Sequence, residues 1–503
     1  MAGAEAPPPA GSSPPPGSAP PAGSAARDLH RGLVWLGAAS AVARALDIGS
    51  MVVVLWFLSR AEMGVATLAW SVAVILEAFN GLGIGTAVLQ AKTIDDEQLD
   101  TVFWYSTGLA TLVFVGIALA APSLAVAYEA PELRWMIVVS ALKLPLVGAA
   151  LVPLQKLNRG LKFKHLGGVQ TGATLFSAVI KIALAAAGFG AWALVVAHTA
   201  HGLFTLALAA WAEPWRPRLR FAFGRIAGLA RFGLQVATSG IIYHFYRNAD
   251  YLVVGKFLGK EALGLYRVAF DVAMTPAIVV LQVVNRASFP VFARLEPDRP
   301  ALAAAFWWSQ RNLALLVLPV VVFLAATGEA LLVTLGGADW APAGPLVAPL
   351  AWAAWIRCHA QVFPQVFHAV GRPLFAVYDS LLAVVVLGGG FVVAGALFGE
   401  SVGVVAVCWA WLFGYPLILA LLTLLARREV PLTLAAAASA ARHPAGLLAL
   451  LGALGLGVWA LGPHLPWPAL TVALGAAAVL GGTLGYVRGV MGVRLKELAR
   501  GPR

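Results

Sequence analysis

Apolar runs of about 20 residues follow one another along nearly the whole chain, parted by short polar segments. A helix crossing a bilayer needs about 20 mostly apolar residues, and fourteen runs meet that description. The first six lie at 33–58, 64–89, 101–127, 133–155, 166–187 and 191–212. Six more lie at 232–258, 262–286, 307–327, 344–367, 374–397 and 401–426, and 445–461 and 468–487 close the series. The fourth is interrupted by Lys143 and two prolines, and the thirteenth is short and glycine-rich. The pattern predicts an all-α polytopic membrane protein with about 14 transmembrane helices.

The runs repeat. Residues 53–72 read VVLWFLSRAEMGVATLAWSV and residues 253–272 read VVGKFLGKEALGLYRVAFDV, with seven of twenty positions identical without a gap. Gly64 falls opposite Gly264, Arg60 opposite Lys260, and Arg44 opposite His244. Six runs separate the copies, an even number, so both copies insert with the same orientation, as parallel repeats about an axis along the membrane normal. The expected organisation is two parallel six-helix lobes plus two C-terminal helices. A disordered cytoplasmic tail spans 1–30, and the lobes span 31–215 and 216–430. The extra helix pair spans 431–490, and a basic cytoplasmic tail spans 491–503.

Composition agrees. Hydrophobic residues make up 60% of the chain and charged residues 12%, against about 25% charged in soluble domains. The net charge of +12 would suit nucleic acid, but its placement argues otherwise. Of the 35 Lys and Arg residues, 25 fall in the segments on the side of the N-terminal tail and four on the other. That bias is the positive-inside pattern; it predicts both termini in the cytoplasm and no nucleic-acid partner. The tail of Pro, Ala, Gly and Ser buries too little apolar surface to fold and lacks the basic start of a signal peptide. Cys358 and Cys408 both sit in apolar runs, so no disulfide framework is expected.

Charges inside the runs carry the candidate chemistry, because each costs roughly 2.5–3.5 kcal/mol at mid-membrane. Such charges normally face a bundle interior or a watery cavity. The stretch His244–Asp271 holds Arg247, Asp250, Arg267 and Asp271, and the first half holds Arg44, Asp47 and Glu77. Arg247 and Asp250 share a helix face, as do Arg267 and Asp271.

The blocks Gly83–Trp104, Asn158–Phe163, Gly188–Val195, Trp215–Phe221, Arg247–Tyr266, Asn285–Leu295 and Asp339–Leu346 together resemble a known family, the oligosaccharide flippases of the polysaccharide transporter group. That group lies in the superfamily of multidrug extruders and the lipid II flippase, and the colanic-acid and teichuronic-acid exporters are the most similar type. The resemblance covers roughly Arg31–Arg427. It implies a two-lobed bundle that opens alternately to each side and carries an undecaprenyl-pyrophosphate-linked oligosaccharide across a bacterial inner membrane. Membrane lipids, a polysaccharide polymerase and export machinery are the implied partners, and no cofactor is implied. Before the Gly-Leu-Gly of the second run, where the family usually has an acid, this chain has Asn80, a departure that bears on any acid-dependent role there.

A carrier of a lipid pyrophosphate must hold an anionic head group and then release it. Arginine suits that task, since its planar fork pairs with phosphate oxygens and stays charged. Arg44, Arg247, Arg267 and Arg357 are therefore the expected pyrophosphate-binding residues of an inter-lobe cavity, with Asn80 and Asn248 as polar lining. The competing reading pairs each arginine with a nearby carboxylate for structure alone. Asp47, Glu77, Asp250, Asp271 and Asp379 are expected as counter-ions or as proton- or sodium-coupling groups. His198, His201, His359 and His368 lack the further ligands a metal site needs, and interhelical hydrogen bonds are expected of them. No GxxxxGK[ST] loop is present, and the outer segments hold too few carboxylates for an enzyme site. A cation-coupled multidrug extruder and a membrane glycosyltransferase or polymer ligase are the competing functions. The first calls for an acid-rich cavity and the second for a large outer loop.

Overall fold

The computed structural model describes residues 22–77 and 83–492. Asn80 and Gly81 lie outside the described residues, as do most of the two tails. The fold is helical throughout, with no strand among the described residues. Among the described residues, eleven helical stretches are long and apolar enough to cross a membrane.

The first half comprises α1 (Ala22–Val54), α2 (Arg60–Glu77), α3 (Ile84–Gln90), α4 (Asp96–Ala127), α5 (Leu133–Ala141), α6 (Lys143–Arg159), α7 (Phe163–Ala186) and α8 (Trp192–Ala212). The second half comprises α9 (Phe223–Phe257), α10 (Gly259–Leu295), α11 (Arg299–Gly336), α12 (Gly344–Ala360), α13 (Phe363–Ala369), α14 (Pro373–Ala383), α15 (Gly389–Val402) and α16 (Val405–Ala426). Two long helices follow, α17 (Leu434–Leu461) and α18 (Pro468–Gly489), and both pack on α11. Each of the fourteen apolar runs thus appears as one helix or as a broken pair. Three runs fall outside those eleven: α2 holds Arg60, Glu62 and Glu77 within 18 residues, α12 has 17 residues, and α9 is not among them.

The breaks have local causes. Run four divides at Leu142, where α5 ends and α6 begins with Lys143 and Pro145 in its first turn, positions that need no backbone donor. Run ten divides before Phe363, with Pro364 likewise in the first turn of α13. In contrast α10 continues through Pro276 and Pro290 without interruption. Gly83 adopts φ +69°, which an L side chain resists, and caps α3 where a Cβ would strike the Gly233 carbonyl of α9.

Helices α1 to α8 pack chiefly on one another, as do α9 to α16. The main seam between the two sets is α2 against α10, helped by α2, α3 and α4 against α9. A Cβ at Gly64 would collide with the Lys260 carbonyl, and one at Gly264 with the Arg60 carbonyl. Without side chains at these points the two backbones touch, as small residues permit between membrane helices.

Polar straps reinforce that crossing on the sparsely charged face. Arg60 Nε donates to the Asp339 carbonyl at 2.6 Å, and Lys260 Nζ pairs with Glu132 at 2.9 Å. Trp340 Nε1 donates to the Leu55 carbonyl at 3.0 Å from a buried position. Lys256 Nζ donates to the Ala127 carbonyl at 2.7 Å. Each half thereby reaches into the other.

Candidate functional site

Charged groups from within the apolar helices of both halves lie around this seam. On α1, Asp47 accepts from Lys181 Nζ of α7 at 3.3 Å, and Ser50 Oγ accepts from the same ammonium at 3.0 Å. Lys181 is buried, so desolvation makes such a counter-ion necessary. Glu77, at the end of α2, takes Lys143 Nζ at 2.9 Å and His198 Nε2 at 3.3 Å. Lys143 reaches it because the break after α5 turns the first residue of α6 inward.

Across the seam, Arg267 Nε donates to Asp271 Oδ2 at 2.8 Å, the i,i+4 pairing expected from the sequence. Its guanidinium also lies 4.3 Å from the ring centre of Trp70, on α2, and 5.3 Å from that of Tyr251. A cation over aromatic faces gains about 0.5–2 kcal/mol, most where water is excluded. Asp47 lies within electrostatic reach of Arg267. His244 lies within reach of both Arg247 and Glu77. The charged groups of α1, α2, α9 and α10 therefore sense one another across the halves.

Other expected residues lie elsewhere. Asp250 is fully buried, and its Oδ2 accepts from Tyr266 Oη at 2.7 Å rather than from Arg247. Trp411 Nε1 donates to that same Tyr266 oxygen at 2.6 Å. Arg357, also buried, lies 5.6 Å from the Trp411 ring centre and within electrostatic reach of Asp250 and Asp379. This second cluster is carried by α9, α10, α12, α14 and α16 and adjoins the seam through Tyr251, whose ring centre lies 5.8 Å from that of Tyr266 and 6.3 Å from that of Trp70. Arg44 is exposed on α1, one turn before Asp47 on the same face, and among the described residues forms no ion pair. Asn248 is buried and its Nδ2 donates to the His244 carbonyl at 2.9 Å.

Two of the four histidines make interhelical polar contacts. His198 meets Glu77, and His359 Nδ1 meets Gln310 Oε1 at 2.6 Å. Sequence reasoning missed Lys143, Lys181 and Trp70 as site residues. The two lysines were visible as charges within apolar runs, but their partners lie more than 60 positions away and no spacing rule links them.

The basic face is equally well built. Glu213, just beyond α8, receives Lys162 Nζ at 2.7 Å and Lys156 Nζ at 3.5 Å, and the Lys162 hydrogen bond holds its carboxyl below the usual range. Arg159 Nη1 bridges the Val88 and Ala91 carbonyls at 2.7 Å each, serving acceptors left open at the end of α3. Arg225 pairs with Asp95 at 2.7 Å and with Glu97.

A two-halved helical bundle with ionisable groups between its halves is the architecture of a multi-pass membrane transporter. The chain belongs to the polysaccharide biosynthesis protein family, whose profile matches residues 53–345. It is similar to the succinoglycan biosynthesis transport protein ExoT of Rhizobium meliloti, 27% identical over 345 residues, 69% of this chain and 70% of that one. It is also similar to the lipopolysaccharide biosynthesis protein WzxC of Escherichia coli, 22% identical over 74% of this chain and 77% of that one. In fold it is similar to the lipid II flippase MurJ in an inward closed conformation, with a TM-score of 0.71, 11% identity, and coverage of 91% of this chain and all of that one. A multidrug-resistance MATE transporter in an inward-facing conformation shares the fold at a TM-score of 0.60 and 15% identity, over 76% of this chain and 94% of that one.

Proposed function

We propose that this protein is a flippase that carries an undecaprenyl-pyrophosphate-linked oligosaccharide across a bacterial inner membrane by alternating access. Both termini lie in the cytoplasm, and the basic face is the loading side. The transport and biosynthesis roles named for ExoT and WzxC support the substrate class. One observation carries the reading: cations within the apolar helices of both halves, Lys181, Lys143, Arg247 and Arg267, lie around one seam. An anionic head group entering there exchanges its hydration for these cations. When the halves rock apart the cations separate and release it.

Arg247 and Arg267 are the first pyrophosphate ligands in this reading, and Arg44 joins them from the exposed face of α1. Arg357 acts differently, as the partner of Asp250 and Asp379 in the second half. Those two carboxylates are the residues through which a proton or a cation would couple to rocking. A multidrug extruder fits less well, since such a cavity would favour cationic drugs and this seam is rich in positive groups. No enzymatic step is assigned to the chain.

Deleting the gene and extracting lipids tests the reading. The expected result is a pyrophosphate-linked glycan accumulating on the cytoplasmic side. Normal polysaccharide export in that strain would overturn it.

A further inference from the structure

A cavity of about 450 Å³ opens on the basic face, away from the seam, where the connection from α8 to α9 folds back onto α4 and α6. Its size falls within the roughly 300–1,000 Å³ typical of small-molecule sites. The connection is held firmly. Arg218 N–H donates to Asp100 Oδ1 at 3.0 Å, Trp104 Nε1 donates to the Arg218 carbonyl at 2.8 Å, and Ala222 N–H donates to Thr101 Oγ1 at 3.2 Å. These bonds fix the wall that carries Trp215 between Pro214 and Pro217.

Asp100 lines the cavity and is only 1% exposed, yet its second oxygen, Oδ2, has no partner. A buried carboxylate oxygen without a donor costs more than a hydrogen bond returns, so the position calls for a ligand that donates. The lining charges balance: Asp96, Asp100 and Glu213 against Lys156, Arg216 and Arg218. Neither an anion nor a cation is selected by such a wall. A neutral ligand rich in hydroxyls is, because carboxylates accept from hydroxyls while ammonium and guanidinium groups donate to them. Trp215 adds a flat aromatic surface, suited to the C–H face of a sugar ring.

We infer that this cavity is a carbohydrate subsite that takes an uncharged sugar residue, with a ring hydroxyl donating to Asp100 Oδ2 and the ring against Trp215. The assignment rests on the reading that this face is cytoplasmic, where the glycan of the lipid-linked substrate is assembled. It places sugar recognition at the entrance and leaves the pyrophosphate to the seam. Loading then depends on two separate contacts.

Saturation-transfer difference NMR on the full chain in nanodiscs tests this, with methyl β-D-glucopyranoside and methyl β-D-galactopyranoside as ligands. Ring-proton signals are expected from at least one glycoside. They should fall about tenfold in Asp100→Asn, the size of one charge-assisted hydrogen bond. The Asn side-chain oxygen still accepts from the Arg218 N–H, so the connection stays docked. Trp215→Ala should abolish the signal and Trp215→Phe should restore most of it, while Arg247→Gln should leave it unchanged. Absence of signal for both glycosides, or signal that survives Asp100→Asn and Trp215→Ala, overturns the inference. So does binding of inorganic pyrophosphate that is lost in Arg216→Gln with Arg218→Gln, which would mark an anion site. Translocation of a lipid-linked glycan in proteoliposomes is scored separately, so loss of the subsite and loss of the transport reading give different results.

Discussion

Gly64 and Gly264 sit two hundred residues apart, and each presses its bare Cα against the backbone carbonyl four positions before the other, Lys260 for the first and Arg60 for the second. The contact is reciprocal, as expected where two copies of one helical unit meet about a two-fold axis. Arg60 and Lys260 are themselves equivalent in the repeat, and each extends into the opposite half, to the Asp339 carbonyl and to Glu132. The sparsely charged face is closed by this symmetric clasp.

Replacing either glycine by leucine forces α2 and α10 apart. In Gly64→Leu and Gly264→Leu, polysaccharide export should be lost while the protein still reaches the membrane. A cysteine placed at Thr67, buried one turn below Gly64, should become reactive to a membrane-impermeant maleimide in these variants and stay slow without them. Unchanged labelling would mean that the clasp does not hold the face shut.

Arg267 and Asp271 should behave as a unit. Arg267→Gln removes the cation that pairs with the Asp271 carboxylate and is expected to cost roughly 1–3 kcal/mol of stability. Adding Asp271→Asn should recover much of that, which a double-mutant cycle of unfolding midpoints measures. Export should stay low in both, since neither retains the cation.

Arg247→Gln should reduce export about tenfold or more, the scale of a lost charge-assisted contact to phosphate. Folding should hold, judged by elution from a sizing column. Lipid-linked glycan should build up in the same cells. Export at the unmodified level would remove Arg247 from the anion-binding role.

The Lys260–Glu132 strap gives the sparsely charged face a pH dependence. The Lys260 hydrogen bond holds the Glu132 carboxyl below its usual range, so its contribution is complete above the unperturbed value of about 4.3. It is lost as pH falls through the lowered value. Spin labels on the loops after α4 and after α9 should keep their separation at neutral pH and part only in strong acid. In Glu132→Gln they should already be further apart at pH 7.

Glu77 should prove harder to replace than a lone counter-ion would be. Glu77→Gln leaves Lys143 and His198 facing an amide in place of a carboxylate, so both thermal stability and export should drop. Adding Lys143→Met should restore stability without restoring export. Full recovery of both would reduce the cluster to scaffolding.

The order of residues determines a good deal alone. Runs of apolar residues long enough for a bilayer, placed between loops with one-sided positive charge, dictate a polytopic helical chain, because lipid offers no partner to an exposed backbone. The repeat at a spacing of two hundred residues already identifies Gly64 with Gly264, and intramembrane Arg and Asp already mark where the chain departs from plain lipid-facing helix. What tertiary structure decides is which charge meets which. Asp47 finds Lys181 instead of Arg44, Asp250 finds Tyr266 instead of Arg247, and Arg267 leans on Trp70 from the other half. Periodicity assigns a residue to a face of its own helix. The partner on that face is chosen by how separate helices pack, and that depends on contacts no local stretch of sequence encodes.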